Sequence, residues 1–340
     1  MASIITLKVE NSSMNKNLGV TVSWQGATVP SVRSLALAAE ELGFEYLWVP
    51  EAWGLEATST IAHLLTVTNS IKIGTGILNV YSRSAALIGM TCATLEQISP
   101  GRTLLGLGTS GKSLVENWHG VQFARSLQRT KEYVEVIRKV ATGEKVEFEG
   151  ELLRLARFRL YTKPCSPPPI FLGAIGEKNL KLAGRISEGA IVATYPISKL
   201  GHAARLVSED GSKKLFAYYP FRITSSKEEE TLAKSEVAEN IAFYVASMGS
   251  YYAKNLVNLG FDQSVRKIAD AHRLGGHRSA VSAVDESLVE ELSLIGSLDV
   301  VAKKLAKMPE NVVTVLGLRA SSEEKASEGI NSLKTLAKGS

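Results

Sequence analysis

From residue 18 onward the chain repeats one pattern: a short apolar run closed by glycine or proline, then an amphipathic stretch of helical length. Strands separated by stretches of this kind are joined by crossovers, so they pair in parallel with helices covering the sheet. The spacing predicts strands at 18–23, 46–50, 71–78 and 103–108, with intervening helices beginning near Pro30, Ala57 and Ser84. The helix at 30–43 sets Val32, Leu35, Ala36, Ala39 and Leu42 three and four residues apart and stops at Gly43. A fourth helix spans 127–142 and stops at Gly143.

Residues 145–162 interrupt the alternation with a hairpin-like segment laid outside the sheet. A proline cluster at 164–169 then leads to a strand at 170–174, a helix at 177–187 and a strand at 190–194. The strand at 215–224 precedes a helical insertion near 225–295, which opens on the capping box Ser226-x-x-Glu229. A helix near 299–307, a strand at 311–318 and a helix at 322–337 close the chain. Eight strands outside the hairpin, with helices between most of them, predict one α/β domain over 1–340, a (β/α)8 TIM barrel with insertions. A doubly wound open sheet is the competing architecture.

Charge and cysteine content narrow the function classes. The chain carries 39 basic and 34 acidic residues, interspersed, for a formal charge of +5. Without a basic block there is no nucleic-acid arm, so a small-molecule partner is expected and no nucleic acid. Cys92 and Cys165 form no disulfide framework, and the five histidines have no metal-ligand spacing, so a cytoplasmic protein without metal is expected. Residues 1–16 lack an apolar leader core, and no uncharged run reaches the roughly 18 residues of a membrane span. A homodimer is expected, with the insertion acting as a lid or as a contact between copies.

The segment from Gly106 to Ser113, GLGTSGKS, satisfies both the phosphate-loop pattern G-x-x-x-x-G-K-[ST] and the dinucleotide pattern G-x-G-x-x-G. A phosphate loop needs a long helix from Lys112, but Gly120 breaks the segment after two turns. The dinucleotide pattern needs an acid at a second strand end, whereas Glu132, at the right distance, falls inside a helix. A nucleotide binder using this loop stays as a third reading; a glycine turn at the top of the fourth strand is preferred.

In a barrel the residues just after the strands converge on one face, where active sites form. Here those residues include Trp24, the run Glu51-Ala-Trp53, Tyr81 and the pair Trp118-His119. Trp24, Trp53, Tyr81 and Trp118 are expected to line a substrate site around a flat ring. Glu51, walled by tryptophans, and then His119 are the candidates for proton transfer; a salt bridge to Arg83 is the alternative for Glu51.

WVPEAWG at 48–54, GTGILNVYSR at 74–83, ATLEQISPGR at 93–102 and PPIFLGAIG at 168–176 resemble the luciferase-like superfamily. Within it, the resemblance is to the coenzyme F420-dependent oxidoreductases, densely over residues 18–195. It implies an F420-dependent enzyme passing hydride to or from a small organic substrate, with an FMN-dependent monooxygenase as the alternative. It implies cofactor contacts at Gly76, Ile77, Asn79, Thr109, Ser110 and Gly111, and phosphate-binding amides at Gly173, Ala174, Ile175 and Gly176. A cis peptide at Gly76–Ile77, forming a bulge that backs the central ring, is implied too. The sugar-phosphate dehydrogenases of the superfamily have a histidine and a glutamate where this chain has Glu51 and Gly111, and the methylene-pterin reductases have Gly-Asp at Ser110-Gly111.

Overall fold

A computed structural model describes residues 17–163, 165–248 and 250–339; the expectation for residues 1–16 lies outside them. Four parallel strands begin the sheet: β1 (Leu18–Val22), β2 (Tyr46–Val49), β3 (Lys72–Thr75) with its short continuation β4 (Leu78–Asn79), and β5 (Thr103–Gly108). Helices α1 (Val29–Glu41), α2 (Ala57–Val67) and α3 (Ala85–Ile98) make the first crossovers. Their starts are encoded locally: Thr28, Glu56 and Ser84 each accept a first-turn amide on their own side chain. After β5 come the short α4 (Lys112–Asn117), α5 (Ser126–Ala141) and the antiparallel hairpin of β6 (Val146–Glu149) and β7 (Arg154–Phe158).

Glu132 of α5 pins that hairpin. Its buried carboxylate accepts the amides of Glu151, Leu152 and Leu153 at 2.8, 3.0 and 2.8 Å, and the Gln128 side chain at 2.7 Å. The acid at dinucleotide spacing is therefore an anchor of the fold.

β8 (Ile170–Gly173), α6 (Glu177–Ile186), β9 (Gly189–Ala193), α7 (Leu200–Val207) and β10 (Lys214–Ile223) carry the sheet round. The insertion follows as α8 (Lys227–Ala246), α9 (Ser250–Asn258), α10 (Asp262–Ser282), α11 (Glu286–Glu291) and β11 (Leu294–Gly296). β11 extends the top of β10, pairing Phe221 with Leu294. Ser226 caps α8 as the capping box requires, but the Glu229 carboxylate takes the amide of Ser225, one residue earlier than the motif. Finally α12 (Leu298–Leu305), β12 (Val312–Leu318) and α13 (Glu323–Lys338) return the chain to its start.

β12 pairs with both β10 and β1, and β10 also pairs with β9, so the eight parallel staves close on themselves. This is a TIM barrel, and the open-sheet alternative is excluded. β1 is buried at every position, as a parallel strand covered on both faces must be. Inside the barrel Tyr46, Trp48, Leu104, Phe171, Ile191, Phe216, Val313 and Val315 fill the interior. A Cβ on Gly74 would stand 2.5 Å from the Trp48 ring, so that glycine makes room for the indole. α8 to α11 enclose a separate core that includes Val237, Ile241, Leu256, Ile268 and Leu288. No helix is long and apolar enough to cross a membrane, and no cluster of three or more potential metal ligands occurs among the described residues.

Candidate active site at the barrel mouth

Close backbone approaches build the mouth. Gly106 of β5 lies against β3, where an added Cβ would be 2.0 Å from the Thr75 carbonyl oxygen. The Gly76 amide donates to the Val49 carbonyl at 2.6 Å, and a Cβ there would be 2.9 Å from the Pro50 backbone. Gly74 pairs with Leu104 and Leu78 with Leu107, so β3–β4 advances four residues while β5 advances three. The extra residue is a β-bulge at Gly76-Ile77, which aims Ile77 between Gly108 and Gly173. Among the described residues no peptide bond is cis, which corrects the expectation for Gly76–Ile77. The bulge re-aims the chain with trans geometry throughout.

Asn79, beside the bulge, is 4% exposed. Its Oδ1 accepts the Tyr81 amide at 2.9 Å, while its Nδ2 has no partner. A buried amide proton without an acceptor is unfavourable unless a ligand supplies one. In the next loop Thr109, Ser110 and Gly111 leave β5, with Ser110 in the left-handed region at φ 56°. Thr194, just past β9, is also left-handed at φ 53°, which is rare for a β-branched side chain and clusters at functional sites. The sequence pattern gave no sign of Thr194.

α4 runs only from Lys112 to Asn117, and Lys112 is exposed with its amine 3.8 Å from Glu116. The helix of a phosphate loop is missing here. Across the mouth Gly173, Ala174, Ile175 and Gly176 lead into α6. The Ala174 amide is taken by the Ile191 carbonyl at 2.9 Å, so it is no free donor. Gly176 caps α6 without a side-chain bond; the Asn179 amide turns back to the Gly176 carbonyl at 3.0 Å, which leaves the amides of Glu177 and Lys178 to an external acceptor. Glu177 in that turn pairs with Lys181 at 2.6 Å, which holds its carboxyl below the usual range and offsets its charge.

Glu51 sits beneath this face in a bidentate pair with Arg83, at 2.5 and 2.8 Å, and accepts the Ala57 amide at 3.0 Å. Arg83 also binds Glu56. Burial would raise the Glu56 carboxyl, but hydrogen bonds from Ser59 and Thr58 outweigh it and bring it down to about 2. The salt bridge is thus what the structure shows for Glu51, rather than a wall of tryptophans. Trp24 and Trp53 do meet, edge to face at 4.2 Å. Trp118 is 64% exposed and makes no ring contact with either among the described residues. Tyr81 lies behind the wall: it is buried, donates to the Ala124 carbonyl at 2.9 Å and stacks under Arg129. His119 is half-buried, and its imidazole has no hydrogen bond among the described residues.

Sequence reasoning named the insertion as a lid or a contact between copies, but not the residues that roof the mouth. Met248, after α8, lies 3.9 Å from where a Gly111 Cβ would stand. Tyr251 of α9 brings its hydroxyl to 3.4 Å from the corresponding point at Gly176 and accepts the Asn179 amide at 2.8 Å. Phe243 reaches Trp53 at 6.3 Å between ring centroids. The available signal was aromatic density: Phe243, Tyr244, Tyr251 and Tyr252 fall within ten residues of a chain that is 7% aromatic.

Residues 5–314 match the model of the luciferase-like monooxygenase family. A Mycobacterium tuberculosis protein provisionally named a coenzyme F420-dependent oxidoreductase is 28% identical over 333 residues, covering 91% of this chain and 96% of that one. The 5,10-methylenetetrahydromethanopterin reductase of Methanolobus tindarius is 30% identical over 282 residues, or 80% and 84% of the two chains. The solved structure of the coenzyme F420-dependent tetrahydromethanopterin reductase of Methanopyrus kandleri has the same fold, with a TM-score of 0.74 at 24% identity over 92% of this chain and 96% of that one.

Proposed function

We propose, from the premise that this chain belongs to the luciferase-like monooxygenase family, that it is an F420-dependent oxidoreductase acting by hydride transfer on a small organic substrate. The observation that carries the reading is the unpartnered Asn79 amide in a mouth that also presents the uncapped first turn of α6. A planar ring with polar edges and an anionic side chain fits that pair of features. The relatives named as F420-dependent support the choice of deazaflavin.

Ile77 on the bulge would back the ring, and Gly76, Gly108 and Gly173 would allow the close approach. Asn79 would donate to a polar edge of the ring, and Thr109, Ser110 and Gly111 would supply further contacts to it. Ile175, Gly176 and the first turn of α6 hold the phosphate-bearing side chain. When bound, the deazaflavin supplies a carbon that gives or accepts a hydride. Trp24, Trp53 and Met248 would exclude water from the bound ring. His119, free of internal hydrogen bonds, carries the proton, while Glu51 acts through Arg83 to hold the two loops in place. A cytoplasmic homodimer is part of the proposal; both thiols are free, and burial pushes Cys92 up to about 12.

The family's own description favours one second reading, an FMN-dependent monooxygenase. Oxygen uptake with reduced FMN separates the two. We expect none, and anaerobic oxidation of reduced F420 by members of a carbonyl panel. Rapid oxygen uptake with FMN, alongside inert F420, would replace the proposal by the second reading.

A further inference from the structure

A continuous strip of aromatic rings crosses from the barrel to the insertion. Trp24 meets Trp53 at 4.2 Å, Trp53 meets Phe243 at 6.3 Å, Phe243 meets Tyr244 at 5.5 Å, and Tyr244 meets Tyr252 at 4.7 Å. The strip is not sealed: Trp53 is 38% exposed, and Phe243, Tyr244 and Tyr252 are only half-buried. On α9, Tyr252 and Leu259, which just follows the helix, pack on the barrel core, and Asn255 falls between them on the same face. Asn255 is 8% exposed and its Nδ2 has no partner. The strip therefore ends on a buried amide donor awaiting an acceptor.

Most charges near the strip are answered or turned away, and Glu239, one turn before Phe243 on α8, is an exposed carboxylate without an ion pair among the described residues. Glu51 and Glu56 share Arg83, and Glu236, two turns before Phe243 on α8, pairs with Arg319 at the top of β12. Lys254 is exposed and lies roughly 160° around α9 from Tyr252 at a helix's period. Burial holds the Tyr244 phenol above its usual range while hydrogen bonding with Trp24 pulls it partly back, and burial raises Tyr252 as well. Both are neutral hydroxyls near pH 7, and neither proton has an acceptor among the described residues.

We infer that the α8–α9 corner is the specificity-determining wall of the site, and that it takes an uncharged, largely apolar compound bearing one carbonyl or hydroxyl oxygen. The rings supply apolar area and stacking, and Tyr244, Tyr252 and Asn255 supply neutral donors for that oxygen. A phosphorylated or carboxylated substrate would bring a charge that no free cation on this wall meets. This assignment rests on the proposed reading of the mouth as a redox site, since that reading makes the molecule on the wall a substrate.

The test uses the full chain and Prodan, a neutral naphthyl ketone whose emission reports both apolar surroundings and hydrogen bonds to its carbonyl. Saturable blue-shifted binding is expected, reversed by 2-acetonaphthone but not by 2-naphthalenesulfonate or glucose 6-phosphate. Trp53→Ala should weaken Prodan at least about tenfold, as truncating a buried aromatic anchor does, whereas Trp53→Phe should stay within about threefold. Tyr244→Phe should leave affinity nearly unchanged and alter the emission maximum. Displacement by glucose 6-phosphate or by the sulfonate at matching affinity overturns the inference. So does Prodan binding indifferent to both Trp53→Ala and Tyr244→Phe. F420 titration of the same samples is a separate readout: loss of F420 binding with the Prodan pattern intact would remove the redox reading and leave the wall.

Discussion

The barrel and its insertion are held by different kinds of contact. At the barrel mouth glycines press on backbone: an added Cβ would fall 2.0 Å from Thr75 at Gly106 and 2.9 Å from Pro50 at Gly76. Where the insertion meets the mouth, the contacts are one ring pair, Trp53 with Phe243 at 6.3 Å, the Met248 terminal methyl and the Tyr251 hydroxyl. Steric contacts of the first kind admit one residue type; ring contacts of the second kind can be repacked. The difference suits a framework that must fit one cofactor and a wall that can be fitted to one substrate.

Four substitutions or conditions probe that contrast, beginning with the largest effect. Gly106→Ala should cost about 3 kcal/mol or more, because backbone and not a flexible side chain blocks the new methyl. Denaturant midpoints measure it, and a shift below about 1 kcal/mol would break the contrast at its strongest point. Glu51→Gln should cost about 2 kcal/mol, since Arg83 keeps a partner in Glu56 but loses a bidentate, mostly buried one. An unchanged midpoint would make that pair ornamental.

The third probe is acid. The Glu56 carboxyl stands at about 2 in the fold against 4.5 ordinarily; burial is outweighed likewise at Glu40, by backbone hydrogen bonds, and at Glu132, by the Gln128 side chain and then backbone amides, so both are lowered too. A lowered folded value means the stabilisation is complete above 4.5 and is lost as pH falls towards 2. All three anchors belong to the barrel and its hairpin. Melting temperatures should therefore fall steeply across that window, and a flat profile would contradict it. The smallest effect belongs to the insertion. Tyr251→Phe removes one exposed hydrogen bond to Asn179 and should change stability by less than about 1 kcal/mol. A larger loss would mean the roof is as rigidly built as the barrel.

The same division governs what the sequence disclosed. The barrel was readable because apolar runs, helical periods and glycine stops are local signals, and the staves fall within a few residues of where the pattern places them. Gly76, Ile77, Asn79 and the bulge were reached through family resemblance, since no local signal encodes them, and the structure gives the bulge trans geometry. For Glu51 the sequence offered both proton transfer and a salt bridge to Arg83, and left them open because no local signal fixes a partner 32 residues away. Trp118 ends α4 facing solvent, a direction set by where that short helix stops. Thr194 takes its left-handed conformation from tertiary context. The aromatic strip was invisible for a further reason: helical periodicity gives an apolar face but not the element it meets.

The central claim is that the mouth binds a deazaflavin through the Asn79 amide. Fluorescence titration of F420 against the wild-type chain and Asn79→Ala, with FMN in parallel, tests it most directly. The account predicts saturable one-to-one F420 binding, weaker FMN binding, and at least about tenfold loss of F420 affinity in the variant, as expected when a buried donor to a ligand is removed. Tighter binding of FMN than of F420, or identical F420 affinity in the two proteins, would contradict it.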